Sequence, residues 1–163
     1  MEIEPIRPED RKELRELELS LYREYLDRSN AFKWEELSPE LIEHLGATTE
    51  EAFKFYLDTG MSFVAREGGN IVGFIFARMI DFIYGIDRIA WIENLGVHPE
   101  YRRLGIGYRL IKKVAEAAKE KGAEILVSSI MSDNIESLML HKKLGFLLEG
   151  RHIALLDLES SDL

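Results

Sequence analysis

The residues best suited to chemistry lie between Asn94 and Gly107, which read Asn-Leu-Gly-Val-His-Pro-Glu-Tyr-Arg-Arg-Leu-Gly-Ile-Gly. An apolar run enters a charged turn, and glycines at 105 and 107 leave the backbone uncovered where a helix should begin. N–H groups at a helix start have no intrahelical acceptor, and the helix dipole adds positive potential. A diphosphate suits such a place. Arg102 and Arg103 are the nearest side-chain cations. A Walker loop needs Lys-Ser or Lys-Thr after its glycines, and a dinucleotide fingerprint needs three spaced glycines; neither is present. Read from the residues alone, a plain turn remains the alternative.

Glu93 precedes this stretch. Amid Trp91, Ile92 and Leu95 its carboxylate is expected to lose part of its water, which makes it a stronger base. Side chains at 92 to 95 are expected to alternate between the two faces of a strand. The alternative is a surface charge or an ion-pair partner. Asn134 precedes an apolar-periodic run and suits a helix N-cap. His98 stands beside Pro99 with no Asp or His at ligand spacing, and reads as a loop histidine. His44 and His152 have less context. Without cysteine, disulfides, thiolate catalysis and cysteine zinc sites are excluded. No His-Glu-x-x-His pattern occurs, so no metal is expected.

The elements that hold these residues follow from hydrophobic period. Ile3 and Ile6 suggest a short first strand. Leu14, Leu17, Leu21 and Tyr25 recur at helical spacing, giving a helix from about Glu9 to Leu26. Ser38-Pro39 starts a short helix. Thr48 or Thr49 caps another, which Gly60 ends. Residues 61–66 and 71–80 read as a hairpin around Gly68-Gly69-Asn70, and 88–97 as a further strand. A helix over 107–121, a strand over 125–129, a helix over 134–144 and a last strand or strand pair over 146–156 complete the chain. The order predicts an α/β protein, a mixed twisted sheet with helices on both faces, in one domain spanning 1–163.

Composition narrows the partners. Of 163 residues, 46% are hydrophobic and 31% charged, as in ordinary globular proteins. A net charge of -9 argues against nucleic acid and leans weakly toward a cationic partner. No apolar run is long enough to span a membrane, and the acidic start does not read as a secretory signal. A cytoplasmic location is expected.

The central stretch resembles the acyl-CoA-binding motif of the GCN5-related N-acetyltransferase (GNAT) family. Its pattern is Arg or Gln, two residues, Gly, one residue, then Gly or Ala; Arg102, Gly105 and Gly107 match it. The lead-in Val97-His98-Pro99 and Tyr101 match too. A second motif matches Asn134 followed by Leu140-His141-Lys142-Lys143-Leu144-Gly145-Phe146. The resemblance covers about Ile3 to Phe146 in element order and is specific over 92–107 and 134–146.

The resemblance implies acetyl-CoA as cosubstrate, held in a V-shaped gap between parallel strands that splay near Val97 and Ser129. Backbone of Leu95, Gly96 and Val97 would pair with the pantetheine arm. The backbone of Arg102, Arg103, Leu104, Gly105, Ile106 and Gly107 would hold the pyrophosphate, and Asn134 the cofactor arm. Glu93 would draw a proton from the attacking amine through water. His141 stands where relatives carry a tyrosine acid, and a helix end favours its charged form; Tyr108, packed on its helix, and Tyr101, facing solvent, are fallback donors. Acceptor contacts are expected from Phe32, Trp34, Glu35 and Tyr84, with Tyr25, Glu36, Asp81 and Asp87 nearby. The acceptor would be an amine on a small molecule or peptide, acetylated by direct attack. A non-catalytic acyl-CoA-binding sensor is the alternative. An edge strand over 151–156 would suit a homodimer.

Overall fold

A computed structural model describes residues 1–29, 32–151 and 153–156. Asn30 and Ala31, within the expected acceptor stretch, and His152 lie outside them. The chain forms two compact units, Met1–Ser129 and Ile130–Leu163.

The first unit holds β1 (Glu2–Pro5), α1 (Arg11–Ser29), α2 (Pro39–Glu43), α3 (Glu50–Thr59), β2 (Phe63–Glu67), β3 (Asn70–Ile83), β4 (Ile86–Val97), α4 (Ile106–Glu120) and β5 (Ile125–Ser128). Local chemistry sets the boundaries. Ser38 accepts a hydrogen bond from Leu41 N at 3.2 Å to start α2, and Thr49 from Ala52 N at 3.3 Å to start α3. Gly60, at φ 63°, ends α3 in the left-handed conformation that glycine adopts without strain. The α1 helix starts later than its hydrophobic period suggests, because Pro8–Asp10 forms a 3-10 turn first.

The sheet order is β1-β2-β3-β4-β5. The first three pairings are antiparallel, and β4–β5 is parallel. Helices cover both faces, as expected. On one, Leu14 and Leu17 of α1 and Phe53 and Tyr56 of α3 pack with Phe74 and Phe76 of β3. On the other lies α4, whose Leu110, Ile111 and Val114 are buried. Gly73 lets α4 approach: a Cβ there would stand 3.0 Å from Ile106 Cγ2 and 3.4 Å from Leu110 Cδ1.

The second unit contains α5 (Ile135–Lys143). Among its described residues there is no strand, which corrects the expected strand or pair over 146–156. An extended segment without a ladder gains nothing to offset the entropy of ordering it. Leu147 and Leu155 remain 86% and 92% exposed, so burial supplies no offset either. The edge strand over 151–156 that motivated a dimer is thus absent among the described residues. Among the described residues, no helix is long and apolar enough to cross a membrane.

Candidate active site

The parallel pairing of β4 with β5 ends at Ile92 and Ser128, while β4 continues to Val97. Over 93–97 its second edge has no strand partner among the described residues, and its first edge stays paired with β3. Opposite Phe76 and Ala77 the register skips Glu93, because Phe76 faces Asn94 and Ala77 faces Ile92. Glu93 is thus the extra residue of a β-bulge.

The bulge overturns the expected alternation. Asn94 Nδ2 donates to Glu18 Oε1 at 2.6 Å, toward α1. The charge of Glu93 acts on the Tyr22 and Tyr56 phenols, and Tyr56 packs on the same side of the sheet as α1. Glu93 and Asn94 therefore share a face. The expected desolvation of Glu93 is also absent, for the residue is exposed. Its surroundings are aromatic nonetheless. Burial, together with the charges of Glu18 and Glu93, pushes the Tyr22 phenol up to about 12. Burial and then Glu93 raise Tyr56, against a smaller opposing effect of Arg78. Both phenols stay protonated and can donate.

Glu18 anchors this arrangement and escaped the sequence reading. It is 1% exposed. Oε1 also accepts from Ala47 N at 2.9 Å, while Oε2 accepts from Thr48 N at 3.1 Å and from the Thr48 hydroxyl. A Cβ on Gly46 would stand 2.4 Å from the carboxylate, so only glycine fits there. The signal was available: Glu18 falls on the apolar stripe of Leu14, Leu17 and Leu21, where an acid needs partners.

The glycine turn follows β4. Gly105, at φ 79°, is the N-cap of α4, and no side chain caps that helix start. A Cβ on Gly105 would meet nothing within 4 Å. The Ile106 and Gly107 amides lie in the first turn, where an anion can be received. The Arg102 side chain, one of the two nearest cations, is engaged within the protein. Its guanidinium donates to both oxygens of Glu24 at 2.8 and 2.5 Å, and its Nε to Val97 O at 3.1 Å. This fork locks the end of β4 to α1. Arg103, at φ 67°, and Leu104 are exposed. Tyr101 and Tyr108 exchange their expected roles. Tyr101 is half-buried, its ring 5.7 Å from that of His98, whereas Tyr108 is exposed. His98 caps the Pro99–Tyr101 turn by accepting from Glu100 N at 3.3 Å.

In the second unit, Asn134 caps α5, its Oδ1 accepting from Ser137 N at 3.1 Å, and its exposed amide nitrogen remains a donor. His141 is buried, its ring edge-on to Phe146 at 4.8 Å. Its Nδ1 lies 2.8 Å from Ser137 O, which can only accept, so Nδ1 carries the proton. Nε2 then has none, and it is buried without a partner among the described residues. Burial holds the imidazole below its ordinary pKa, despite the Ser137 carbonyl. The expectation of a charged histidine donating to the leaving group is corrected: burial outweighs the helix end.

The expected acceptor residues do not converge. Phe32 is exposed, Trp34 is half-buried in a 3-10 turn, and Glu35 is matched by Arg23 at 2.9 Å. Tyr84 stands in the β3–β4 turn at φ 56°, nine residues before Glu93. The seven steps of β4 from Ile86 to Glu93, at about 3.3 Å each, already put it more than about 20 Å away, too far to share a small amine with Glu93.

Known proteins resemble this chain in sequence and in fold. Thialysine N-epsilon-acetyltransferase of Bos taurus is 43% identical over 58 residues, 36% of this chain and 34% of that protein. The Sus scrofa protein of that name is 37% identical over 81 residues, 48% of this chain and 46% of its own length. The chain thus spans between a third and a half of the length of these curated relatives. Aminoglycoside N-acetyltransferase AAC(6')-Iy, solved in complex with CoA, superposes with a TM-score of 0.73 at 22% identity, over 96% of this chain and 94% of that one. That likeness shows the fold. The chain thus shares sequence segments with N-acetyltransferases and has the fold of one. The chain belongs to the DUF1999 family, described as protein of unknown function, whose profile matches residues 1–163.

Proposed function

We propose that this chain is an N-acetyltransferase acting as one domain, which moves the acetyl group of acetyl-CoA to a primary amine by direct attack. One observation carries the reading: β4 loses its partner at Ile92 and runs on, open-edged, into a glycine turn and an uncapped helix. Extended backbone over Leu95, Gly96 and Val97 suits an amide-bearing arm, and the first-turn amides of Ile106 and Gly107 suit a diphosphate. The fit is good, because Gly105 leaves open space. Acetyl-CoA supplies the activated acyl group.

Glu93 is the base of this reading. Exposed at the bulge, it receives the amine's proton through water. The Tyr56 phenol lies close enough to feel its charge and stays protonated. With its proton on Nδ1, held by Ser137 O, His141 has none on Nε2 to donate. A thiol of pKa about 8.5 leaves as the thiolate without a dedicated acid. The acceptor is an amine-bearing metabolite or peptide, and the setting is the cytoplasm.

Thiol release from acetyl-CoA across a panel of amines tests the proposal. Glu93→Gln is expected to lower kcat by about 10² to 10⁴-fold while leaving the affinity for acetyl-CoA unchanged. Equal turnover by the variant refutes the base assignment. A second reading, an acyl-CoA sensor, is favoured by the missing proton on His141 Nε2. Tight acetyl-CoA binding without thiol release for any amine would establish it.

A further inference from the structure

The acidity of the whole chain leans toward a cationic acceptor, but one cleft has the opposite local charge. A cavity of about 360 Å³ is lined by Phe55, Thr59, Arg78, Met79, Arg88 and Lys121. Three of these are cations and none is an acid. Arg78 Nε is buried without a hydrogen-bond partner among the described residues. Its guanidinium carbon lies 6.0 Å from the Phe55 ring centroid, which steers the group but satisfies no N–H. Arg88 has one acid near it, Asp81, at 3.9 Å and on the surface. Lys121 Nζ would lie 3.5 Å from a Cβ on Gly60, and Arg88 Nη1 would lie 3.0 Å from one on Gly122. Glycines at the ends of α3 and α4 thus leave room for two of the three cations.

The cleft borders the bulge. Arg78 pairs with Trp91 across β3 and β4, and Glu93 lies two residues further along β4. A strand spacing of about 4.8 Å and a rise of about 3.3 Å per residue put the two Cα atoms roughly 8 Å apart. Tyr56 lies near both, feeling the charges of Glu93 and of Arg78.

We propose that this cleft holds an anionic end of the acceptor, a carboxylate or a phosphate, while its amine at the other end faces Glu93. The acceptor class is then a linear amine that carries an anion at a distance of that order. The inference rests on the acetyl-transfer reading for the amine end. The cations alone define the anion end.

The test compares pentylamine, 5-aminopentanoate and 5-aminopentyl phosphate, which share an amine and differ at the far end. Thiol release is expected to show kcat/KM at least tenfold higher for one or both anionic acceptors, and the better one identifies the head group. In Arg78→Gln, and in Lys121→Gln at an exposed position, the ratio to pentylamine is expected to fall toward one. Calorimetric titration of the anionic amines into the same proteins, without acetyl-CoA, is expected to show the same loss. Equal kcat/KM for all three amines overturns the anion site and leaves acetyl transfer standing. Anionic amines bound equally by wild type and both variants overturn it too. Binding that both variants weaken, with no thiol release from any amine, sinks the transfer reading and keeps the anion site.

Discussion

Glu18→Gln tests whether the buried carboxylate holds the bulge to α1. Glu18 accepts from two backbone amides, the Thr48 hydroxyl and the Asn94 side-chain amide. The glutamine amide keeps one oxygen and turns an NH₂ group on the other pair of donors. Asn94 can rotate to offer its oxygen, and the Thr48 hydroxyl can offer a lone pair. Neither backbone N–H can do so, and one faces the NH₂ group in either orientation. That buried donor costs about 1–3 kcal/mol. The surviving bonds lose their charge assistance and roughly half their strength, adding about 1–2 kcal/mol. The expected loss is about 3 kcal/mol, a large part of the roughly 5–15 kcal/mol that stabilises a domain. Equilibrium unfolding in urea at neutral pH measures it, with Glu16→Gln on the exposed face of α1 as a reference expected within about 0.5 kcal/mol. A loss below about 1 kcal/mol at an unchanged slope refutes the reasoning.

Three further outcomes follow from the geometry. Because burial lowers the folded pKa of His141, the native state binds fewer protons than the unfolded state between that value and 6.5. The stability is present above pH 6.5 and lost as pH falls through the folded value; His141→Phe is expected to remove that loss, as urea midpoints at neutral pH and about pH 5 will show. Gly107→Trp covers the first turn of α4 and is expected to abolish acetyl-CoA binding in calorimetry while circular dichroism stays native; unchanged affinity in a folded variant contradicts the diphosphate placement. Gly96→Ala puts a Cβ 2.5 Å from Leu21 Cδ1 and 2.6 Å from Phe74 Cζ, and is expected to cost about 1–3 kcal/mol in urea unfolding.

Much of the scaffold was legible. The switch from period 2 to period 3.6 marked β4 and α4, and the glycines marked the turn between them. The bulge was not legible, because one extra residue in a strand leaves no compositional trace and exists only relative to its partner. The ion pair of Arg102 was illegible for a similar reason. Its charge is matched by Glu24, which is remote in sequence. For His141 the helix end was visible, but the burial that reverses its charge is a property of packing. The apolar residues of 146–156 suggested strands, but hydrophobicity without a ladder does not make one. Glu18 was the one avoidable omission, since an acid on a leucine stripe announces a buried partner.

The bulge also bears on how this chain can change by descent. Around position 93, β4 is a regular strand with one residue added. Ile92 and Asn94 already face consecutive residues of β3. Deleting the codon for Glu93 would close the ladder and leave Asn94 and Gly96 on the faces they now occupy. The proposed base and the architecture that carries it are thus separately heritable. A lineage could shed the base in one step and keep the fold as a binding protein, and an insertion at that point could restore it.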